Sequence, residues 1–148
     1  MSSRTHTRAA EDAYNPTVFT RIETGLDLVE IDRIKRILER HGDRFLARVY
    51  TAREIEDSDG RTESLAARFA AKEAVMKALG TGSVDFRDIE VVRDPGDRPR
   101  IKLHGKARAR AETIGTLGLA LSLTHSRTTA AAAVTLWSDG RDGAAGSY

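Results

Sequence analysis

Two carboxylates and one amine stand out by type and position. Asp27 lies in an alternating stretch just after Gly25, and Glu73 and Lys77 stand four residues apart in SLAARFAAKEAVMKALG. At about 100° per residue, Leu65, Phe69, Met76 and Leu79 form one apolar stripe, and Glu73 and Lys77 fall together at its margin. Their neighbours there are Ala66, Ala70 and Gly80, small residues that leave room for a close approach. A partly buried carboxylate needs a partner. One option is a plain i,i+4 Glu–Lys pair, contributing about 0.3–0.5 kcal/mol. The other is a hard cation shared by Glu73 and Asp27, with Lys77 on an anionic ligand. Magnesium suits that, because it often takes one or two carboxylates and fills its shell with water and phosphate oxygens. Asp27 by itself reads equally as a surface or helix-capping aspartate, so spacing leaves both options open.

Other polar residues have similar double readings. Arg68 and Lys72 stand one turn apart on the same segment, as surface charges or as contacts to a phosphate lying along it. Lys72, about 100° around from Glu73, suits that phosphate less. His125 sits in Ser122-Leu123-Thr124-His125-Ser126 at a strand end, where it makes local hydrogen bonds or donates to a phosphate. Arg33, Arg36 and Arg40 fall on one helical face opposite Ile31, Ile34 and Leu38. That face is either solubilising or docks an acidic protein helix or nucleic acid. No aromatic residues interleave with it, so base stacking lacks support.

Composition removes several chemistries. The absence of cysteine excludes disulfides, thiolate nucleophiles and cysteine-ligated metals; it fits a reducing cytoplasm. The other histidines, at 6, 41 and 104, have no ligand spacing. Neither a serine–histidine–aspartate set nor a glycine-rich phosphate loop is evident. No stretch reaches the ~20 apolar residues of a membrane helix. Arg4, His6 and Arg8 precede no apolar run, so the N-terminus does not read as a secretory signal. With 148 residues, 40% hydrophobic, one modest core is expected, and a net charge of +2 argues against an RNA-binding protein.

These side chains need elements to hold them. Ile22 to Leu28 has a strand's period of two, and Ile31, Ile34, Ile37 and Leu38 recur at helical spacing up to His41-Gly42. Arg44 to Tyr50 reads as a short helix, and Thr51 with Glu54 as the capping box of another. Ser64 is a candidate cap for the long helix, which Gly80 ends. Asp88 to Arg93 and Arg100 to Leu103 flank the turn Asp94-Pro95-Gly96-Asp97. Lys106 to Leu117 reads as a helix ending near Gly118. Leu119 to Thr124 and Thr129 to Trp137 read as a closing hairpin. The order is β-α-α-α-β-β-α-β-β, an α+β pattern. Residues 1–20 read as a flexible arm, 21–137 as the domain and 138–148 as a disordered tail.

Three blocks, GLDLVEIDRI at 25–34, LAARFAAKEAVMKALGTG at 65–82 and LSLTHSRTTAAAAV at 121–134, are similar to the holo-acyl-carrier-protein synthase family of phosphopantetheinyl transferases. The resemblance implies the 4'-phosphopantetheinyl transferase-like fold, an antiparallel sheet packed on a long helix, as a single half-size unit. It implies transfer of phosphopantetheine from coenzyme A to a carrier-protein serine, with 3',5'-ADP leaving, as in fatty acid biosynthesis. Asp27 and Glu73 match the family's magnesium ligands and Lys77 the lysine near the pyrophosphate. Arg68 and His125 match positions at the nucleotide end of coenzyme A, where Lys72 and Ser126 are counted as further contacts. Arg33, with Arg36 and Arg40, matches the surface that docks the acidic acyl carrier protein. Small members form homotrimers with coenzyme A between subunits. One departure is Glu23, where the family commonly has glycine. The rival expectation is a non-catalytic module whose basic helix binds an acidic protein, which leaves Asp27, Glu73 and Lys77 without a role.

Overall fold

The computed structural model describes residues 21–140. The arm expected at 1–20 and most of the expected tail, 141–148, lie outside the described residues. Strand β1 (Arg21–Glu30) runs without a loop into helix α1 (Ile31–Val49). Gly42, at φ 45° and ψ −124°, breaks α1 into the two segments that the sequence suggests. That backbone region suits glycine because it lacks a β-carbon. Helix α2 (Ala52–Ser58) opens with the expected capping box: the Thr51 hydroxyl accepts from the Glu54 N–H, and the Glu54 carboxylate accepts from the Thr51 N–H.

Helix α3 (Thr62–Leu79) is the centre of the molecule. It is followed by β2 (Ile89–Val92), β3 (Arg100–Leu103), α4 (Gly105–Thr113), β4 (Thr116–His125) and β5 (Thr129–Ser138). Strands β1, β5 and β4 form an antiparallel sheet in that order, and β2 pairs with β3 in a second one. The first sheet covers α3 with a row of small residues. Ala66, Ala70, Ala71 and Ala74 on the helix and Ala130 and Ala132 on β5 are buried. Packing is therefore tight: a β-carbon added to Gly25 would overlap the carbonyl oxygen of Ala74.

This closeness inverts strand β1. A period of two normally turns the large apolar residues inward. Here Gly25, Asp27 and Val29 face α3, while Ile22, Leu26 and Leu28 stand 54%, 62% and 64% exposed on the other face. The helix passes too near for a larger side chain at position 25. The small residues beside Glu73 thus admit strand β1, and Ala66 and Ala70 are core.

Other expectations are corrected. The apolar stripe of α3 is in fact a nearly all-round buried surface, with twelve residues inside. Its N-cap is Arg61, without a side-chain cap, and Ser64 lies within the helix, where its hydroxyl accepts from Arg68. Helix α4 ends at Thr113 because Gly115 adopts φ 66°; Leu117 belongs to β4. Ser138, placed in the tail, closes β5 and is buried.

Candidate active site

Asp27 and Lys77 come together at the free edge of β1. The Lys77 ammonium donates to the Leu26 carbonyl at 2.7 Å and to Asp27 Oδ1 at 3.2 Å. The Leu26 carbonyl at a sheet edge has no neighbouring strand among the described residues, and the lysine occupies that position. The Asp27 side chain is 18% exposed and that of Lys77 55%, so the carboxylate is recessed and the cation reaches solvent. Glu73, half-buried, lies one turn before Lys77 on the same face of α3. Both line a shallow recess with Met76, Gly80, Thr81 and Gly82. Gly80, in the left-handed conformation at φ 66°, ends α3 beside them.

This donor set fits one hard cation. The Asp27 carboxylate contacts the Lys77 ammonium and Glu73 stands one turn from that lysine on α3; no cluster of three or more metal-ligating side chains occurs among the described residues. Such a site suits an ion that draws its remaining ligands from water and phosphate. The charge at Glu23 is taken up by an ion pair with Arg21. Both line a small cavity of about 120 Å³ next to Lys77 and Gly80. Gly25 keeps its close seat on Ala74 in the presence of that charge.

A second basic region lies toward the N-terminal end of α3. Arg68 and His125 line one recess, together with Arg61 and Arg93. A cleft of about 370 Å³ adjoins it and shares Arg61, Ser64, Arg68 and Arg93. Arg68 is only 8% exposed. Burial lowers its pKa, and the carboxylates of Glu54 and Asp57 oppose that effect. Its Nη1 donates to Ser64, whereas Nε has no hydrogen-bond partner among the described residues. Sequence reasoning missed Arg61 and Arg93, which carry no periodic signal and join the recess only through the fold.

One expected contact is placed elsewhere. Lys72 is fully buried, away from any surface that a phosphate reaches. Its ammonium donates to Glu54 Oε2 at 2.8 Å, to the Phe86 carbonyl at 2.9 Å and to the Ile89 carbonyl, which uses all three protons. Burial lowers its pKa, against the pull of the Glu54 carboxylate. Its surroundings were invisible in the helical period, because Glu54 and Ile89 come from other elements. Ser126 is exposed, and its hydroxyl accepts from the Thr128 and Thr129 N–H groups at 3.3 and 3.1 Å, closing the β4–β5 turn. On α1, Arg33, Arg36 and Arg40 are exposed, and Arg44 and Arg48 extend the series past Gly42. None of the five forms an ion pair among the described residues.

Similarity along most of the chain points to one family. Residues 23–135 match the 4'-phosphopantetheinyl transferase superfamily. The holo-[acyl-carrier-protein] synthase of Koribacter versatilis is 47% identical over 119 residues, spanning 76% of this chain and 95% of that protein. The corresponding synthase of Solibacter usitatus is 48% identical over 111 residues, spanning 71% of this chain and 89% of its own length. Among solved structures, the Helicobacter pylori synthase in complex with coenzyme A superposes with a TM-score of 0.70 at 31% identity, covering 76% of this chain and 98% of that one. The Chronobacterium ammoniagenes synthase–coenzyme A complex gives 0.72 at 35% identity, covering 80% and 98%. The nearly complete coverage of these short chains agrees with a single half-size unit. The chain belongs to the holo-acyl-carrier-protein synthase family of 4'-phosphopantetheinyl transferases.

Proposed function

We propose that Asp27, Glu73 and Lys77 form the centre at which this enzyme transfers 4'-phosphopantetheine from coenzyme A to a serine of an apo acyl carrier protein, releasing 3',5'-ADP. The carrying observation is the Lys77–Asp27 contact at the edge of β1, with Glu73 one turn away in the same recess. Asp27 and Glu73 are the residues that would hold magnesium, which neutralises diphosphate charge when bound. Phosphoryl transfer is chiefly positioning and charge neutralisation, and this chain offers groups for both. Lys77, more than half exposed, places a positive charge beside the diphosphate, where it stabilises the 5'-phosphate that leaves with 3',5'-ADP. Its grip on the Leu26 carbonyl fixes that charge at the strand edge. Glu73, half-buried beside a cation, is the chain's own acceptor for the serine proton; a water is the competing acceptor.

Arg68, His125, Arg61 and Arg93 receive the nucleotide end of coenzyme A. The unpaired arginines of α1 supply the docking surface for an acidic carrier. The outward face of the first sheet supports a homotrimer, because Ile22, Leu26 and Leu28 leave it apolar and exposed. No helix among the described residues is long and apolar enough to cross a membrane, and we assign the enzyme to the cytoplasm, where its substrates meet.

The test is incubation with coenzyme A, magnesium and an apo carrier protein, followed by mass measurement of the carrier. The native chain adds the phosphopantetheine mass. Asp27→Ala and Glu73→Ala each abolish the addition with circular dichroism unchanged. Near-native transfer by either variant removes that residue from the centre. Absence of transfer by the native chain, with carrier binding retained, favours the non-catalytic module.

A further inference from the structure

Helix α4 packs against the rest of the molecule through one face. Ala107, Ala111 and, just past its end, Ile114 are buried there, and Arg110 shares that face half-buried. An arginine among apolar neighbours needs an acceptor. Its Nε donates to the Leu79 carbonyl at 3.0 Å, 31 residues earlier in the chain. Its Nη2 lies against Gly80, 3.8 Å from where a β-carbon would stand.

The last carbonyls of a helix lack partners within it. At the end of α3 the chain's own turn satisfies two of them. The Gly80 N–H donates to the Lys77 carbonyl and the Thr81 N–H to the Met76 carbonyl, both at 3.1 Å. The Leu79 carbonyl lies beyond that turn, and Arg110 meets it with a cation, the charge that suits a helix C-terminus. From there Gly80 turns left-handed at φ 66°, and the Thr81 hydroxyl accepts from the Ser83 N–H at 3.2 Å. Gly80, Thr81 and Gly82 line the same recess as Glu73 and Lys77. A glycine on each side of Thr81 gives this wall wide backbone freedom. Its place therefore depends on the tether from α4.

We propose that Arg110 is a positioning residue of the diphosphate site. Through the Leu79 carbonyl it holds the Gly80–Gly82 wall, and with it the width of the recess around Lys77, without touching the ligand. The inference rests on the reading of that recess as the diphosphate site. A misplacement of 1 Å caused far from the chemistry can cost about 10²-fold.

Steady-state transfer, with coenzyme A and the carrier varied in turn, tests it. Arg110→Met keeps the aliphatic stem and loses the donor. KM for coenzyme A is expected to rise about tenfold, with kcat and the carrier KM within about twofold of native. Arg110→Lys keeps a donor for the one carbonyl and returns that KM to within about threefold of native. A merely structural role lowers the folded fraction, and so kcat, and leaves KM alone. An unchanged KM in Arg110→Met, or a lysine variant no better than the methionine one, overturns the assignment. If circular dichroism shows Arg110→Met misfolded, Arg110→Gln takes its place in the same comparison. Lys77→Met separates the two readings. A native KM for coenzyme A in that variant removes the recess as the diphosphate site, and the inference with it; a raised KM there beside a native one in Arg110→Met overturns the role of Arg110 alone.

Discussion

Gly25 rests on Ala74 with no space for a β-carbon, and this contact holds strand β1 against the helix that carries Glu73 and Lys77. Asp27, two residues along the same face, inherits its position from that seat. Gly25→Ala is therefore expected to push β1 off α3. Overpacking of this kind costs about 1–3 kcal/mol, and transfer activity falls further because the Asp27–Lys77 contact opens. Gly82→Ala, where a β-carbon meets nothing within 4 Å, serves as the stability control and shifts the urea midpoint little. Equal midpoints for the two variants contradict the packing argument.

The buried Lys72–Glu54 pair gives a second prediction. Glu54 accepts from the Thr51 and Val91 N–H groups and from Lys72, so it ties α2, β2 and α3 together. Lys72→Met leaves a carboxylate buried without its cation and should cost about 3–5 kcal/mol. Adding Glu54→Gln removes that charge while keeping an acceptor for the N–H groups. The double variant is expected to be more stable than Lys72→Met alone. A double-mutant cycle in urea measures the coupling; strict additivity contradicts the pairing.

How much of this was legible in the sequence depends on the range of each signal. The capping box at Thr51, the helix stop at Gly80 and the break at Gly42 are local, and each is read correctly from a few residues. The family motif around Glu73 was equally legible. Lys72 was not, because a helical period reports angle and not what waits at that angle; its acceptors come from α2 and from the segment leading into β2. The inversion of β1 was also hidden. Alternation shows that two faces differ, whereas the choice of inner face follows from the alanine-lined helix that passes beneath Gly25. The cleft between Asp57, Arg68 and Arg93 joins residues from α2, α3 and the end of β2, which no single periodicity connects.

Acid should weaken the fold partly through Glu90. Burial raises its pKa, but hydrogen bonds from Thr51 at 2.7 Å and with His104 at 3.2 Å outweigh that effect, and the carboxyl group lies below its usual range. A carboxylate depressed in the folded state binds fewer protons than in the unfolded chain. Its stabilisation is thus present above the unfolded value and lost as pH falls through the folded one. Glu90→Gln removes this part of the dependence. Urea midpoints measured from neutral pH downward should fall less steeply for the variant; parallel curves contradict the assignment.

The exposed apolar row on β1 predicts self-association. Ile22, Leu26 and Leu28 share the sheet's outer face, opposite Trp137, Ala133 and Ala131 of β5. Fully burying a leucine or isoleucine side chain contributes about 1.5–3 kcal/mol, so three per subunit form a substantial patch. Ile22→Glu combined with Leu28→Glu should convert the proposed homotrimer to monomer in analytical ultracentrifugation, with helical content retained. A native chain that sediments as a monomer at micromolar concentration rejects the homotrimer directly.

Charge on α1 is the last testable relationship. Arg36 and Arg40 before the Gly42 break, and Arg44 and Arg48 after it, stand four apart within their helical segments, and like charges at that spacing destabilise a helix by about 0.2–0.5 kcal/mol per pair. With no carboxylate pairing them among the described residues, the chain bears this cost unrelieved until an acidic surface arrives. Arg33→Glu and Arg44→Glu should each slow carrier association by roughly tenfold at low salt, since rim charges act mainly on the association rate. The loss shrinks as salt screens the field over about 10 Å at 0.1 M. Coenzyme A affinity stays unchanged, because α1 lines none of the recesses assigned to the nucleotide or the diphosphate. Stopped-flow association rates at two salt concentrations, beside coenzyme A titrations, separate the effects. If reversal leaves the rate constant unaltered, the helix is only a solubilising face; if it weakens coenzyme A binding instead, the basic series belongs to the nucleotide site.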